Sequence, residues 1–112
     1  MLELLEWEIN RISLQDTVRV WRSDLEFGNN VHPGRLAELS DEEKYPDSYL
    51  LNHPIINVAR VFPNVVVFKI QDGNHALAEY MRRYPNKDPL ELPRDIFQVP
   101  DSILEKYEEC CL

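Results

Sequence analysis

Residues 65–83 read VVVFKIQDGNHALAEYMRR, and the rest of the chain is arranged around this stretch. Val66, Phe68 and Ile70 fall on one face of an extended segment and Val65 and Val67 on the other, which predicts a strand buried on both sides, with Lys69 as the exception on the second face. Asp72, Gly73 and Asn74 then form a turn, and helical spacing begins at once. Leu77, Tyr80 or Met81, and Tyr84 lie along one side of that helix, Glu79, Arg82 and Arg83 largely on the opposite one, and Pro85 ends it. The three tyrosine and methionine positions read as core rather than as a ligand platform. A strand that runs through a glycine turn into a helix leaves the first helical N–H groups unpaired over the turn, and an anion is favoured there.

Upstream, residues 53–62 (HPIINVARVF) carry a second apolar run, and Pro63 and Asn64 separate it from Val65, so two strands joined by a short connection are predicted. Residues 27–34 (FGNNVHPG) are dense in turn formers and read as a loop; Leu36 and Leu39 suggest one or two helical turns. Ser40 with Glu43 matches a capping box for another short helix that Pro46 stops, and Asp41, Glu42 and Glu43 read as its solvated start. Near the beginning, Leu5, Trp7 and Ile9 alternate as in a strand from Trp7 onward, with a turn over residues 13–17. Val18, Trp21 and Leu25 fit a helical face behind Asp16, although VRVW fits a strand equally well. Downstream, PNKDPLELPRD reads as a surface connection with a brief strand at residues 90–92. Ser102 with Glu105 repeats the capping pattern before a final helix whose apolar side is Ile103, Leu104, Tyr107 and Cys111. The order of elements predicts a single α/β (α+β) domain over residues 1–112, a mixed sheet flanked by short helices with a helix at the C-terminus.

A chain of 112 residues with 44% hydrophobic content can bury one core. It has no apolar run of the roughly 18 residues that a membrane helix needs, and MLELLEWEIN places acids where a secretory signal would be basic, so a cytoplasmic protein is expected. Cys110 and Cys111 are adjacent, without metal or redox spacing. The formal charge of −8 argues against sequence-independent DNA binding. It is unevenly placed: residues 1–59 sum to −6, residues 60–94 to +2 and residues 95–112 to −4. The segment holding the strand, turn and helix is therefore the one with a positive balance, where a phosphate would want it.

Of three histidines, His32 and His53 each precede a proline and sit in extended or turn backbone. Their spacing matches no local metal-ligand pattern. His75, in the first turn of a helix that begins at a glycine, can hydrogen-bond a phosphate or act as an acid or base; a bond to a neighbouring carbonyl is the structural alternative. Asp72 before a glycine is equally a common turn former. Phosphate-loop, nucleophile-elbow and zinc-protease motifs are absent.

The run HPIINVARVFPNVVVFKIQDGNHALAEYMRR resembles the central portion of the ParB/sulfiredoxin superfamily, in which a strand ends in Asp-Gly-x-His-Arg and leads into a helix. The resemblance implies a small fold whose turn and helix bind the phosphates of a nucleoside triphosphate with Mg²⁺. Gly73 would allow close approach, His75 would touch the phosphate as the candidate catalytic residue, and Asp72, Asn74 and Lys69 would complete the site. The arginine expected after the histidine is Ala76, so Lys69 or Arg60 would have to substitute. Asn74 stands where sulfiredoxins place their catalytic cysteine, which excludes that chemistry. Nothing after Arg94 is long or basic enough for the DNA-gripping domain of partition proteins. Two expectations follow: a nucleotide- or phosphate-binding domain, a phosphotransferase or ATPase among the options, or an acidic module such as an immunity protein, antitoxin or phage inhibitor that has lost catalysis and binds a basic protein partner.

Overall fold

The computed structural model describes residues 17–62 and 65–111. The predicted strand from Trp7, the turn before Thr17, the Pro63–Asn64 connection and the side chains of Cys110 and Cys111 lie outside this description. Among the described residues five strands and four α-helices follow in the order β1 (Thr17–Val20), β2 (Leu25–Phe27), α1 (Pro33–Leu39), α2 (Asp47–Asn52), β3 (Ile55–Phe62), β4 (Val65–Asp72), α3 (Asn74–Arg83), β5 (Leu90–Pro93) and α4 (Asp101–Cys111). The fold is α+β.

The centre is the predicted pair of strands. β3 and β4 run antiparallel, with Ile56 opposite Ile70 and Val58 opposite Phe68, and β2 adds in parallel on the other edge of β4, with Leu25 opposite Phe68. This mixed sheet, in the order β2-β4-β3, is accompanied by an antiparallel ribbon of β1 and β5. Strict alternation in the ribbon sends Val18, Val20, Leu90 and Leu92 into the core, where they join Leu50, Ile56, Phe68, Ile70, Leu77, Leu104 and Tyr107. Phe68 meets the ring of Tyr107 edge-on at 5.0 Å and that of Phe97 at 5.7 Å, the arrangement aromatic quadrupoles favour. The Tyr107 hydroxyl donates to Asp24 at 2.7 Å and accepts the Trp21 N–H at 3.0 Å, so its polar end is satisfied inside the fold.

Several expectations are corrected. β4 is buried on one face only: Val66, Phe68 and Ile70 are in the core, whereas Val67 is half-buried and Lys69 and Gln71 are exposed. One layer covers the inner face, as in many sheets with antiparallel pairs, and among the described residues Glu26, Asn57, Arg60, Lys69 and Gln71 give the outer face its polar character. VRVW resolves as a strand ending at Val20, with a 3₁₀ turn over Arg22–Asp24 and a strand, β2, that the periodicity did not predict. The 27–34 loop is shorter than expected, because Pro33 opens α1, a position where its missing N–H costs nothing.

Ser40 is not an N-cap. Its hydroxyl donates back to the Ala37 carbonyl at 2.6 Å and closes α1, while the Asp41 carboxylate accepts the N–H groups of Glu43 and Lys44 in a turn. The next helix starts after Pro46 rather than stopping at it. Ser102 likewise lies inside α4, whose first turn is anchored on the Pro100 carbonyl.

The largest correction concerns α3. Glu79 is fully buried and the Arg83 side chain is 3% exposed, so the face opposite the apolar stripe carries an internal ion network. Arg83 donates to Glu79 at 2.7 Å, to Asp47 at 3.0 Å and to the carbonyls of Leu39 and Tyr45 at 2.9 and 2.7 Å. One guanidinium thereby ties α3 to α2 and to the end of α1. Tyr84, expected in the core, is 38% exposed.

Candidate functional site

The turn between β4 and α3 has the predicted form. Gly73 holds φ +76°, the left-handed region that favours glycine, and a Cβ there would come within 2.6 Å of the Pro54 Cα. The Gly73 N–H donates to the Asp72 carboxylate at 2.9 Å, and the Gly73 carbonyl accepts the Leu77 N–H at 3.0 Å, the first bond of the helix. Good helix formers, Ala76 to Ala78 and Met81 to Arg83, carry the helix onward. Among the described residues no side chain caps its start, so the orphan N–H groups of the first turn retain the anion preference inferred from the sequence.

A cleft of about 310 Å³ opens over this turn. Its walls come from five places in the chain: Asn29 from the β2–α1 loop, Arg35 and Leu39 from α1, Tyr49 and His53 from α2 and its cap, Asp72 from β4, and Gly73, Asn74, His75 and Ala76 from the turn and α3. Arg35 is the only permanent cation among these lining residues and Asp72 the only carboxylate. Arg35 pairs with Glu38 at 2.9 Å, both side chains being more than half exposed, so water screens the pair and Arg35 can exchange it for another anion. Tyr49, 36% exposed, lies against His53 with ring centroids 4.5 Å apart.

Asp72, Gly73, Asn74 and His75 are thus brought together, and beyond the bonds within the turn Asn74 and His75 also hold the β2–α1 loop. Asn74 is 4% exposed, and its amide oxygen accepts the Gly28 N–H at 2.9 Å. His75 Nε2 accepts the His32 N–H at 3.0 Å, and the two imidazoles stack at 5.7 Å and 19°. The partner of His75 is therefore a backbone amide, not the carbonyl considered from the sequence. A neutral imidazole that accepts at Nε2 carries its proton on Nδ1, so His75 has a donor rather than a base left to offer. Lys69 does not line the cleft; it is exposed on the outer sheet face, near Gly28. Arg60, the other substitute considered, pairs with Glu26 at 3.6 Å and does not line it either.

Sequence reasoning missed Arg35, Asn29 and Tyr49. Arg35 follows Pro33 and Gly34 at the start of a helix, but its place beside His75 comes from packing α1 on α3, which no local spacing encodes. Among the described residues no group of three or more histidine, cysteine or acidic side chains is arranged to hold a metal ion, and no helix is long and apolar enough to cross a membrane. Comparison with known proteins adds no family to this geometry: no family model, no curated protein and no solved structure matches the chain.

Proposed function

We propose that the cleft over the start of α3 binds the phosphate groups of a nucleotide, in a small domain of ParB/sulfiredoxin-like type. The observation that carries the reading is that Arg35, a guanidinium suited to bidentate phosphate contacts, lines the same cleft as Gly73, His75 and an uncapped helix start. It supplies the basic group that Ala76 does not. Tyr49 and His53 provide aromatic surface on the same cleft for the remainder of the ligand. Mg²⁺ carried by nucleotide phosphates keeps several waters and uses one or two carboxylates, and Asp72 is the carboxylate in place. Phosphoryl transfer rests mainly on positioning and charge neutralisation; in a phosphotransferase or ATPase built here, Arg35 would supply the neutralisation.

Calorimetric titration of ATP, CTP and GTP with Mg²⁺ tests this directly. At least one should bind, and Arg35→Ala should weaken it by about tenfold or more, the size of one lost hydrogen bond to a charged group. Absence of heat with all three at millimolar concentration removes the proposal.

A further inference from the structure

The wall of the cleft is itself held by a titratable side chain. The β2–α1 loop, residues 28–32, is bonded across the start of α3 as a strap and borders both the cleft and a more open hollow of about 610 Å³ lined by Phe27, Gly28, Asn29, Asn30, Val31 and Ala78. Asn29 lines both spaces. At its Gly28 end the strap is fixed by two acceptors, the Ile70 carbonyl at 3.0 Å and the Asn74 amide oxygen at 2.9 Å. At its other end the strap runs into α1, where the His32 carbonyl accepts the N–H groups of Arg35 and Leu36 at 3.1 Å, and the His75 ring adds a tie to α3 by accepting the His32 N–H at Nε2.

We propose that His75 is a proton-sensitive latch: neutral His75 ties the strap to the start of α3 where it enters α1, and protonation at Nε2 removes that tie. The chemistry is categorical, because an imidazolium has two N–H donors and no acceptor, so the His32 bond exists only with the neutral ring. Imidazole is the side chain whose charge changes within about pH 5 to 8. The stacked His32 ring adds to the effect, since two charged rings in that arrangement repel. The other titratable or charged groups that share the cleft with His75 are Arg35 from α1, Tyr49 from α2, His53 from its C-cap and Asp72 from β4. Within α3, Glu79 is engaged with Arg82 and Arg83. None of these groups accepts the His32 N–H, so none can replace the latch while the strap is in this position. The Gly28 anchors are amide groups that do not titrate, and the His32 carbonyl keeps its bonds to Arg35 and Leu36, so the change is confined to the His75 tie. The inference does not depend on what the cleft binds.

The test is nuclear magnetic resonance on the free protein between pH 8 and pH 5. Long-range proton–nitrogen spectra should show neutral His75 as the Nδ1–H tautomer. The His32 amide should then lose hydrogen-exchange protection, corrected for intrinsic rates, by about fivefold or more, the equivalent of one net hydrogen bond, with the midpoint of the His75 ring. His75→Gln, which offers an oxygen acceptor that does not titrate, should keep the His32 amide protected throughout. His32→Asn, which retains the backbone N–H, should keep the transition. A His32 amide that does not respond as the His75 ring titrates, a transition that persists in His75→Gln, or one that vanishes in His32→Asn would each overturn the proposal; wild type and His32→Asn decide it alone should His75→Gln not fold.

Discussion

Replacing Arg83 with methionine keeps most of the volume of a buried side chain and removes its charge. In the folded protein the guanidinium serves Glu79, Asp47 and the carbonyls of Leu39 and Tyr45, with its side chain 3% exposed. Removing one member of a buried ion pair costs about 3–5 kcal/mol, because the other charge stays buried without its partner. Two features set the value here. Glu79 keeps two bonds from Arg82, at 2.7 and 2.8 Å, which pulls the loss to the lower end. Against that, two carbonyls lose a donor, at roughly 1 kcal/mol each where water cannot replace it. A loss of about 3–4 kcal/mol is expected, and at about 4 °C per kcal/mol for a chain of this size it lowers Tm by about 12–16 °C. Urea unfolding followed by circular dichroism measures it. Arg82→Met should cost less, because Arg82 is 56% exposed and Glu79 retains Arg83. A loss under about 1 kcal/mol for Arg83→Met would refute the reasoning, since it would mean that water reaches the network and the burial inferred for it is wrong.

Three further outcomes follow from the same structure. The carboxyl of Glu79 is held below the ordinary carboxylate range by hydrogen bonding from Arg82, against the opposing effect of burial and with further help from Arg83. Its folded value being depressed, the stabilisation is complete above the unfolded value of about 4.3 and decays as pH falls below it; Glu79→Gln should flatten that acid limb in urea melts from pH 6 to pH 3. Gly73→Ala places a Cβ within 2.6 Å of the Pro54 backbone at φ +76°, so a loss of about 2 kcal/mol or more is expected by the same assay. Leu77→Ala empties a fully buried position beneath the sheet and should cost about 3 kcal/mol.

What was legible in the sequence was local. The β3–β4 pair, the glycine turn, α3 and the brief β5 all announce themselves through alternation, a left-handed glycine or an apolar stripe, and each of these signals acts between residues close in the chain. The failures have a common origin in packing at a distance. Glu79 and Arg83 stand opposite the apolar stripe in the sequence pattern, and their burial depends on Asp47 and two carbonyls some 36 to 44 residues away. Ser40 and Ser102 each sit three residues before a glutamate, yet both helices take their boundaries from a neighbouring proline, Pro46 and Pro100, because a proline fixes the chain before a side-chain cap has any choice. At the site, the turn residues were legible and the wall was not: Arg35, Tyr49 and Asn29 arrive on separate elements, and the sequence names Lys69 and Arg60 only because they are near in number.

The two ends of α3 divide the labour in a way that bears on the proposed site. At the C-terminal end Arg22 donates to the carbonyls of Met81, Tyr84 and Lys87, where a cation also complements the helix dipole, and the Arg83 network locks the same turns to α2. The inward face is held by Ala76, Leu77 and Tyr80 in the core. At the N-terminal end the side-chain attachments are the two that pin the strap, Asn74 to Gly28 and His75 to His32. Stability is thus concentrated where no ligand is proposed, and the uncapped first turn can meet an anion without loosening the helix. Ala76, only 8% exposed, lies between the core and the cleft that it helps to line. For the phosphate proposed at this site, a cation delivered from α1 would take the part that the resemblance gives to an arginine at position 76, and Arg35 is the α1 cation that lines the cleft.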